Sequence, residues 1–328
     1  MSLFDRLIVW GLPWVPKPLV GFFAKRYVAG ETLEQALKLV REFNETGYLC
    51  TLDVLGEFIK TTDEAKQAAD EYKTILKVIH QEGLNANISV KPSQMGLLLD
   101  EAFCYETLRD LVATAKETGN FVRVEMEDSP CTSDTIALYL KLAQEFDNVG
   151  LVLQAYLRRT LNDVREIIPA GGKNFRLCKG IYVEPRQIAY KDKDLINQNY
   201  LRVLEEMLAS GAYVGIATHD EKLVWGAMQL VDKLQLPQDA YEFQMLLGVD
   251  PLLRQIIKDS GHRLRVYVPF GRQWYAYSVR RLRENPAIAR HTLKSIWDGL
   301  FHKEQEVHPK SNVMRYSASV SGHPSHSS

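Results

Sequence analysis

Eight short runs rich in β-branched and aromatic residues recur along the chain. They fall at 48–56 (YLCTLDVLG), 85–93 (NANISVKPS), 121–127 (FVRVEME), 149–156 (VGLVLQAY), 175–182 (FRLCKGIY), 214–220 (VGIATHD), 241–246 (YEFQML) and 263–270 (RLRVYVPF). Between them, apolar residues return with the period of a helix, as in TDEAKQAADEYKTILKVIHQEG and DEKLVWGAMQLVDKL. Thr62-Asp63 and Thr132-Ser133-Asp134 read as helix starts, and glycines at 83, 119 and 211 read as helix stops. Strand–helix alternation predicts a parallel sheet covered by helices. Eight repeats over about 240 residues predict an α/β fold of the closed (β/α)8 TIM-barrel type, which typically takes about 250. An open doubly wound sheet is the competing architecture. It would place a glycine-rich turn after an early strand, and neither GxGxxG nor GxxxxGK[ST] occurs.

A barrel of this kind carries its active site at the C-terminal ends of its strands. Polar residues cluster there: Lys91 after strand two, Glu125, Glu127 and Asp128 at strand three, and Gln154 in strand four. Arg176 and Lys179 follow on strand five, Thr218-His219 closes strand six, Gln244 lies on strand seven and Tyr267 on strand eight. Singly, each has a bland explanation: Lys91 snorkelling, Glu125 pairing with Arg123, His219 capping a loop. Polar groups inside apolar strands are costly unless paired, so seven successive strands carrying them at one end predict a lined mouth. In the segment after strand eight, Tyr277, Arg280, Arg281 and Glu284 share one helical face, and adjacent guanidiniums suit a carboxylate held bidentately. With Lys91, Arg176 and Lys179 the mouth would hold five cations against three or four acids, which suits an anionic ligand.

The remaining composition narrows the classes. The chain has 328 residues, 46% of them hydrophobic and 25% charged, with 40 Lys+Arg against 41 Asp+Glu. That balance argues against a disordered chain and against a general nucleic-acid binder. The four cysteines lie far apart with no CxxC pair, so neither a disulfide framework nor a metal site is expected, and a reducing, cytoplasmic setting is. Residues 1–45 read as an N-terminal helical segment, 46–300 as the barrel and 301–328, polar and serine-rich, as a disordered tail. The uncharged run from Leu7 to Pro16 is about half the roughly 20 residues a membrane span needs. Trp10, Trp14, Phe22 and Phe23 alternate with Lys17, Lys25 and Arg26, which fits either short helices over one end of the domain or a peripheral membrane anchor.

The motifs VKPS around Lys91, LQAY around Gln154, RLCKGIY at 176–182, ATHD at 217–220, YEFQML at 241–246 and YVPFG…YAYSVRRLREN at 267–285 stand in the order found in proline dehydrogenases. Over roughly residues 30–300 the chain resembles a short, monofunctional bacterial member of that family, similar to the catalytic barrel of bifunctional proline-utilisation flavoproteins. The resemblance implies an FAD-containing barrel that oxidises L-proline to Δ1-pyrroline-5-carboxylate, the first step of proline catabolism, by hydride transfer from proline C5 to flavin N5. It also implies membrane quinone as electron acceptor. On its terms Lys91, Arg280 and Arg281 hold the proline carboxylate, and Tyr182, Leu246, Tyr267 and Tyr277 wall the ring. Arg176, beside the flavin, and Glu125 are the catalytic pair. Met126, Gln154, Lys179, Gly180, Ile181, Thr218, His219, Gln244 and Glu284 are the remaining cofactor contacts. One departure stands out: the family usually has an aspartate where this chain has Glu125. A lysine Schiff-base aldolase using Lys91 or Lys179, and a non-catalytic amino-acid-binding barrel, are the alternatives the residues leave open.

Overall fold

The structure is a computed structural model that describes residues 26–56, 59–275 and 277–279, together with Gly21 and Ala24. The expected tail at 301–328, most of the N-terminal segment, and Arg280, Arg281 and Glu284 lie outside the described residues.

Helix α1 (Leu33–Glu45) precedes the first strand. Thr32 caps it: its hydroxyl accepts from the Gln35 backbone, and the Gln35 amide oxygen accepts in return from the Thr32 N–H at 3.2 Å. Strands β1 (Leu49–Val54), β2 (Ala86–Val90), β3 (Val122–Val124) and β4 (Val149–Gln154) follow. Next come β5 (Asn174–Cys178), β6 (Tyr213–Ala217), β7 (Tyr241–Leu246) and β8 (Leu264–Phe270). Between successive strands lie α2 (Thr62–Glu82), α3 (Glu101–Glu117), α4 (Thr132–Glu145), α5 (Thr160–Ile167), α6 (Lys193–Ala209), α7 (Glu221–Lys233) and α8 (Pro251–Asp259). All neighbours pair in parallel, and β8 closes on β1 from Leu49↔Arg265 to Val54↔Phe270. The strand–helix alternation therefore yields the closed barrel that the sequence pattern predicts.

Local details differ from the pattern. The cap of α2 is Thr61, one residue before the expected start, because its hydroxyl reaches the Glu64 N–H. Helix α4 does begin at Thr132, but it continues a 3-10 turn (Ser129–Cys131) and has no side-chain cap bond. Outward-facing strand residues such as Leu52, Ile88, Leu151, Leu177 and Phe243 meet Tyr72, Ile75, Leu108, Leu138 and Tyr200 of the helices in one continuous apolar layer. No helix among the described residues is long and apolar enough to cross a membrane.

Successive strand residues alternate faces, so the other half of each strand points into the barrel, where charged and amide side chains stand among small and apolar residues such as Gly215 and Val152. Arg265 forks onto Glu242, with Nε donating to Oε1 at 2.6 Å and Nη2 to Oε2 at 3.0 Å. Gln244 Nε2 donates to the same carboxylate at 2.6 Å. Gly215 on the adjacent strand makes this possible, since a Cβ there would lie 2.4 Å from Gln244 Nε2. Arg123 turns away from Glu125, the partner considered from sequence. It donates to Asn174 Oδ1 at 2.5 Å and to the Asn174 carbonyl at 3.3 Å. Burial with no carboxylate on its guanidinium, next to the like charge of Arg176, brings Arg123 down to about 9.

The Arg265–Glu242 pair generates a stability prediction. Its side chains are 12% and 2% exposed, so Glu242→Gln leaves a guanidinium without its counter-charge. Breaking a buried pair from one side costs about 3–5 kcal/mol. Urea unfolding of the variant should show that loss, and an unchanged midpoint would mean the pair is energetically idle.

Candidate active site

The C-terminal ends of the strands surround a cavity of about 660 Å3. Asp53 of β1 and Lys91, which follows the neighbouring β2, pair in its wall, with Lys91 Nζ donating to Asp53 Oδ1 and Oδ2 at 3.0 and 3.2 Å. Beside them, Arg176 of β5 donates from Nη1 to Glu125 Oε1 at 2.5 Å and from Nε to Gln244 Oε1 at 2.5 Å. The Ser89 hydroxyl also donates to Glu125. The ring of Tyr267 lies 5.3 Å from the Arg176 guanidinium carbon, a cation–π contact inside the barrel. Further round the rim, Lys179 Nζ donates to Asp220 Oδ2 at 2.6 Å.

The two carboxyls nearest Lys91, Asp53 and Glu125, are pushed in opposite directions. Burial lifts the Asp53 carboxyl above its ordinary range, outweighing Lys91 beside it. Burial acts the same way on Glu125, but Arg176, the Ser89 hydroxyl and Lys91 together hold it below the usual carboxylate range. Asp53 is therefore the first of the pair to take a proton as pH falls.

Apart from Glu127 and Asp128, every sequence-predicted site residue among those described reaches the cavity. Met126 and Gln154 line one side, with Lys179, Gly180, Ile181 and Tyr182 from the loop after β5. Thr218, His219, Gln244 and Leu246 line the opposite arc, where Tyr267 and Tyr277 complete the aromatic wall. Gly180 sits at φ 104°, and a Cβ on it would fall 2.1 Å from Tyr156 Cδ1, so a side chain is excluded there. The Leu246 N–H donates to His219 Nε2 at 2.8 Å, which places the ring proton on Nδ1. Gln244 has both ends of its amide engaged, one on Arg176 and one on Glu242. Glu127 and Asp128 do not line the cavity: Glu127 turns onto Ser93, and Asp128 is exposed.

Lys91, Arg176 and Lys179 each sit on an acid, and Arg280 and Arg281, the other two cations of the expected excess, lie outside the described residues. One expectation is corrected: strand one also contributes, through Asp53, although the polar series was expected to begin at strand two. The signal was present: Asp53 is a lone acid in the apolar run YLCTLDVLG. Tyr27, which lines the cavity from before α1, carried no comparable signal, since its chain-distant contacts exist only after the barrel closes.

A closed barrel whose strand ends enclose paired charges and aromatic walls defines a (β/α)8 enzyme site. A family model described as proline dehydrogenase matches residues 36–293. The chain is 38% identical over 273 residues to proline dehydrogenase 1 of Bacillus subtilis (strain 168), covering 83% of this chain and 90% of that one. It is 37% identical over 281 residues to the proline dehydrogenase of Deinococcus radiodurans, covering 84% and 90%. Among solved structures it is similar to proline utilization A (PutA) from Bdellovibrio bacteriovorus inactivated by N-propargylglycine, with a TM-score of 0.75 and 26% identity. That match covers 80% of this chain but only 32% of the PutA chain. The chain belongs to the proline dehydrogenase family and is an oxidoreductase.

The opposed carboxyls give a pH prediction. Glu125 is depressed from an ordinary value of 4.5, so the stability it contributes is complete above that value and is lost as pH falls through its lower, folded-state value. Glu125→Gln should therefore lower stability at neutral pH by about 3 kcal/mol, the lower end for breaking a buried pair. It should also flatten the decline below pH 4.5. Denaturant midpoints across an acid pH series measure both, and an undiminished acid decline would dissociate Glu125 from it.

Proposed function

We propose that this chain oxidises L-proline to Δ1-pyrroline-5-carboxylate at the barrel mouth with FAD as cofactor, and that the electrons pass on to a membrane quinone. The catalytic unit is residues 46–300. The observation that carries the reading is the cavity itself, whose lining brings buried, paired charges together with Tyr182, Leu246, Tyr267 and Tyr277.

The residues present suit a flavin. Gln154 is 2% exposed, and its Oε1 has no hydrogen-bond partner among the described residues, so it offers an acceptor to a ring N–H. Gly180 gives the cavity a wall with no side chain, and Arg176 supplies a fixed positive charge. On this reading Met126, Gln154, Lys179, Gly180, Ile181, Thr218 and His219 hold the cofactor, joined by Gln244 and, outside the described residues, Glu284. Bound FAD would supply the two-electron acceptor, its N5 receiving the hydride that leaves proline C5.

The protein's own part is position and field. Lys91, with its ammonium already oriented by Asp53, holds the substrate carboxylate together with Arg280 and Arg281, which lie outside the described residues. The tyrosine and leucine wall fixes the ring. Arg176, held rigid by Glu125 and Gln244, offsets negative charge developing on its neighbour. The substrate amine must be neutral for its lone pair to assist hydride departure. Because Lys91, Arg176 and Lys179 are each already paired, desolvation in the cavity is the effect among the described lining residues that disfavours the ammonium. The aldolase alternative is weakened by the same geometry: Lys91 and Lys179 sit on carboxylates, not in the apolar surroundings that activate a Schiff-base lysine.

The direct test is a visible absorption spectrum of the purified protein. A yellow chromophore that bleaches on anaerobic addition of L-proline is expected, and a colourless protein that binds proline without turnover would overturn the reading.

Tyr267 yields a sharper prediction. Its ring lies against Arg176 on the cavity wall, and ring and hydroxyl can be tested separately. Tyr267→Ser should lose activity on proline while narrowing the gap between proline and trans-4-hydroxyproline. The ring's exclusion of a 4-hydroxyl is worth about 1–3 kcal/mol, roughly tenfold to a hundredfold in kcat/KM. Tyr267→Phe should leave that ratio near the parent value. An unchanged ratio in the serine variant would show that Tyr267 does not set the selectivity.

A further inference from the structure

Two buried glutamates at the barrel mouth repeat one arrangement. Glu127, in the loop after β3, accepts from the Ser93 N–H at 2.8 Å and the Ser93 hydroxyl at 2.5 Å. Glu184, in the loop after β5, accepts from the Ser129 N–H at 2.7 Å and the Ser129 hydroxyl at 2.6 Å. Each serine belongs to a single 3-10 turn, Pro92–Met95 or Ser129–Cys131, in a rim loop other than its glutamate's own. Both glutamates are at least nine-tenths buried. A carboxylate that accepts a backbone N–H on one oxygen and a hydroxyl on the other is held by two charge-assisted bonds with a single geometry.

The second clasp bears on the site. Ile181 and Val183 of the β5 loop are 41% and 99% exposed, so the tip of the loop buries little apolar surface that could fix its path. Yet Lys179, Gly180, Ile181 and Tyr182 of the same loop line the cavity. Glu184, two residues beyond Tyr182, turns inward at 6% exposure and grips the β3 loop, and the Lys191 ammonium donates to its backbone carbonyl.

We propose that Glu184 is a positioning residue. Its carboxylate, locked on Ser129, sets the course of residues 180–183 and so holds the Tyr182 ring and the Lys179–Ile181 backbone against the cavity. The proposal rests on the reading of that cavity as the proline site.

Glu184→Gln tests it in the full-length protein, since the amide is nearly isosteric but turns an NH2 group toward one of two donors. Hydrogen exchange of peptides covering 179–192 and steady-state kinetics with an artificial electron acceptor are the readouts. Exchange in this loop should be on the order of tenfold faster, the effect of losing a hydrogen bond to a charged group. Exchange across β1–β8 and the thermal midpoint should stay unchanged. KM for proline should rise by about the same factor, with kcat changing less. Ser129→Ala should act in the same direction but more weakly, and the double variant should be no worse than Glu184→Gln alone. Val183→Ser, at a fully exposed neighbouring position, should change neither readout. Unchanged loop exchange in Glu184→Gln would overturn the proposal. So would faster exchange with unchanged KM while Tyr182→Ala raises KM, and in that case the cavity reading survives. Unchanged KM in both Glu184→Gln and Tyr182→Ala would overturn the cavity reading and the proposal with it.

Discussion

A charged side chain that points into a closed barrel cannot reach bulk water, and this constraint organises the molecule. An interior charge must find its hydrogen-bonding partners on another strand, a carboxylate for Arg265 and Arg176 and the Asn174 amide for Arg123, because transfer out of water is costly when unsatisfied. The result is one continuous ladder. It starts at the fork of Arg265 on Glu242, passes through the Gln244 amide, and ends where Arg176 meets Glu125 and Ser89. Carboxylate and guanidinium on either side fix which way the Gln244 amide faces. Such ladders contribute little net stability, since desolvation offsets most of the attraction. Their effect is to give Arg176 a single orientation at the cavity floor.

The same constraint explains what the sequence made visible. Strand and helix positions were legible because burial on both faces of a parallel barrel strand leaves dense apolar runs, and the intervening helices keep their period. Site residues on strands, such as Glu125, Arg176 and Tyr267, stood out as polar or bulky interruptions of those runs. Their pairing did not. That Glu125 would choose Arg176 over Arg123, and Lys91 would choose Asp53, depends on the tilt and register of strands that are far apart in the chain. Tyr27 and Glu184 were invisible for a related reason: each matters through contacts with segments far away in the chain, which leave no mark on the local pattern.

The rim is stitched from loop to loop by polar contacts of differing kind. Ser93 with Glu127 joins the second loop to the third, and Ser129 with Glu184 joins the third to the fifth. Lys179 with Asp220 joins the fifth to the sixth, and His219 receives the Leu246 N–H of the seventh strand. The cavity is thus shaped by a belt of contacts above the barrel as well as by the ladder within it, and the two meet at residues 176–179.

The cavity wall also has a history in time. Tyr27 enters it from ahead of the first strand, held there because Arg26 Nε donates to the Gly248 carbonyl at 2.9 Å and the Ala29 N–H donates to Pro269 at 2.9 Å. Tyr277, which faces the same space, lies beyond the last strand. A ribosome releases the first of these tyrosines long before the second exists, and the carbonyls that anchor the early segment belong to residues made about 220 to 240 positions later. No nascent chain that stops short of Tyr277 can therefore complete this wall. A barrel lacking its final strands exposes its charges to water, so the pocket forms only once its earliest and latest wall residues can fold together.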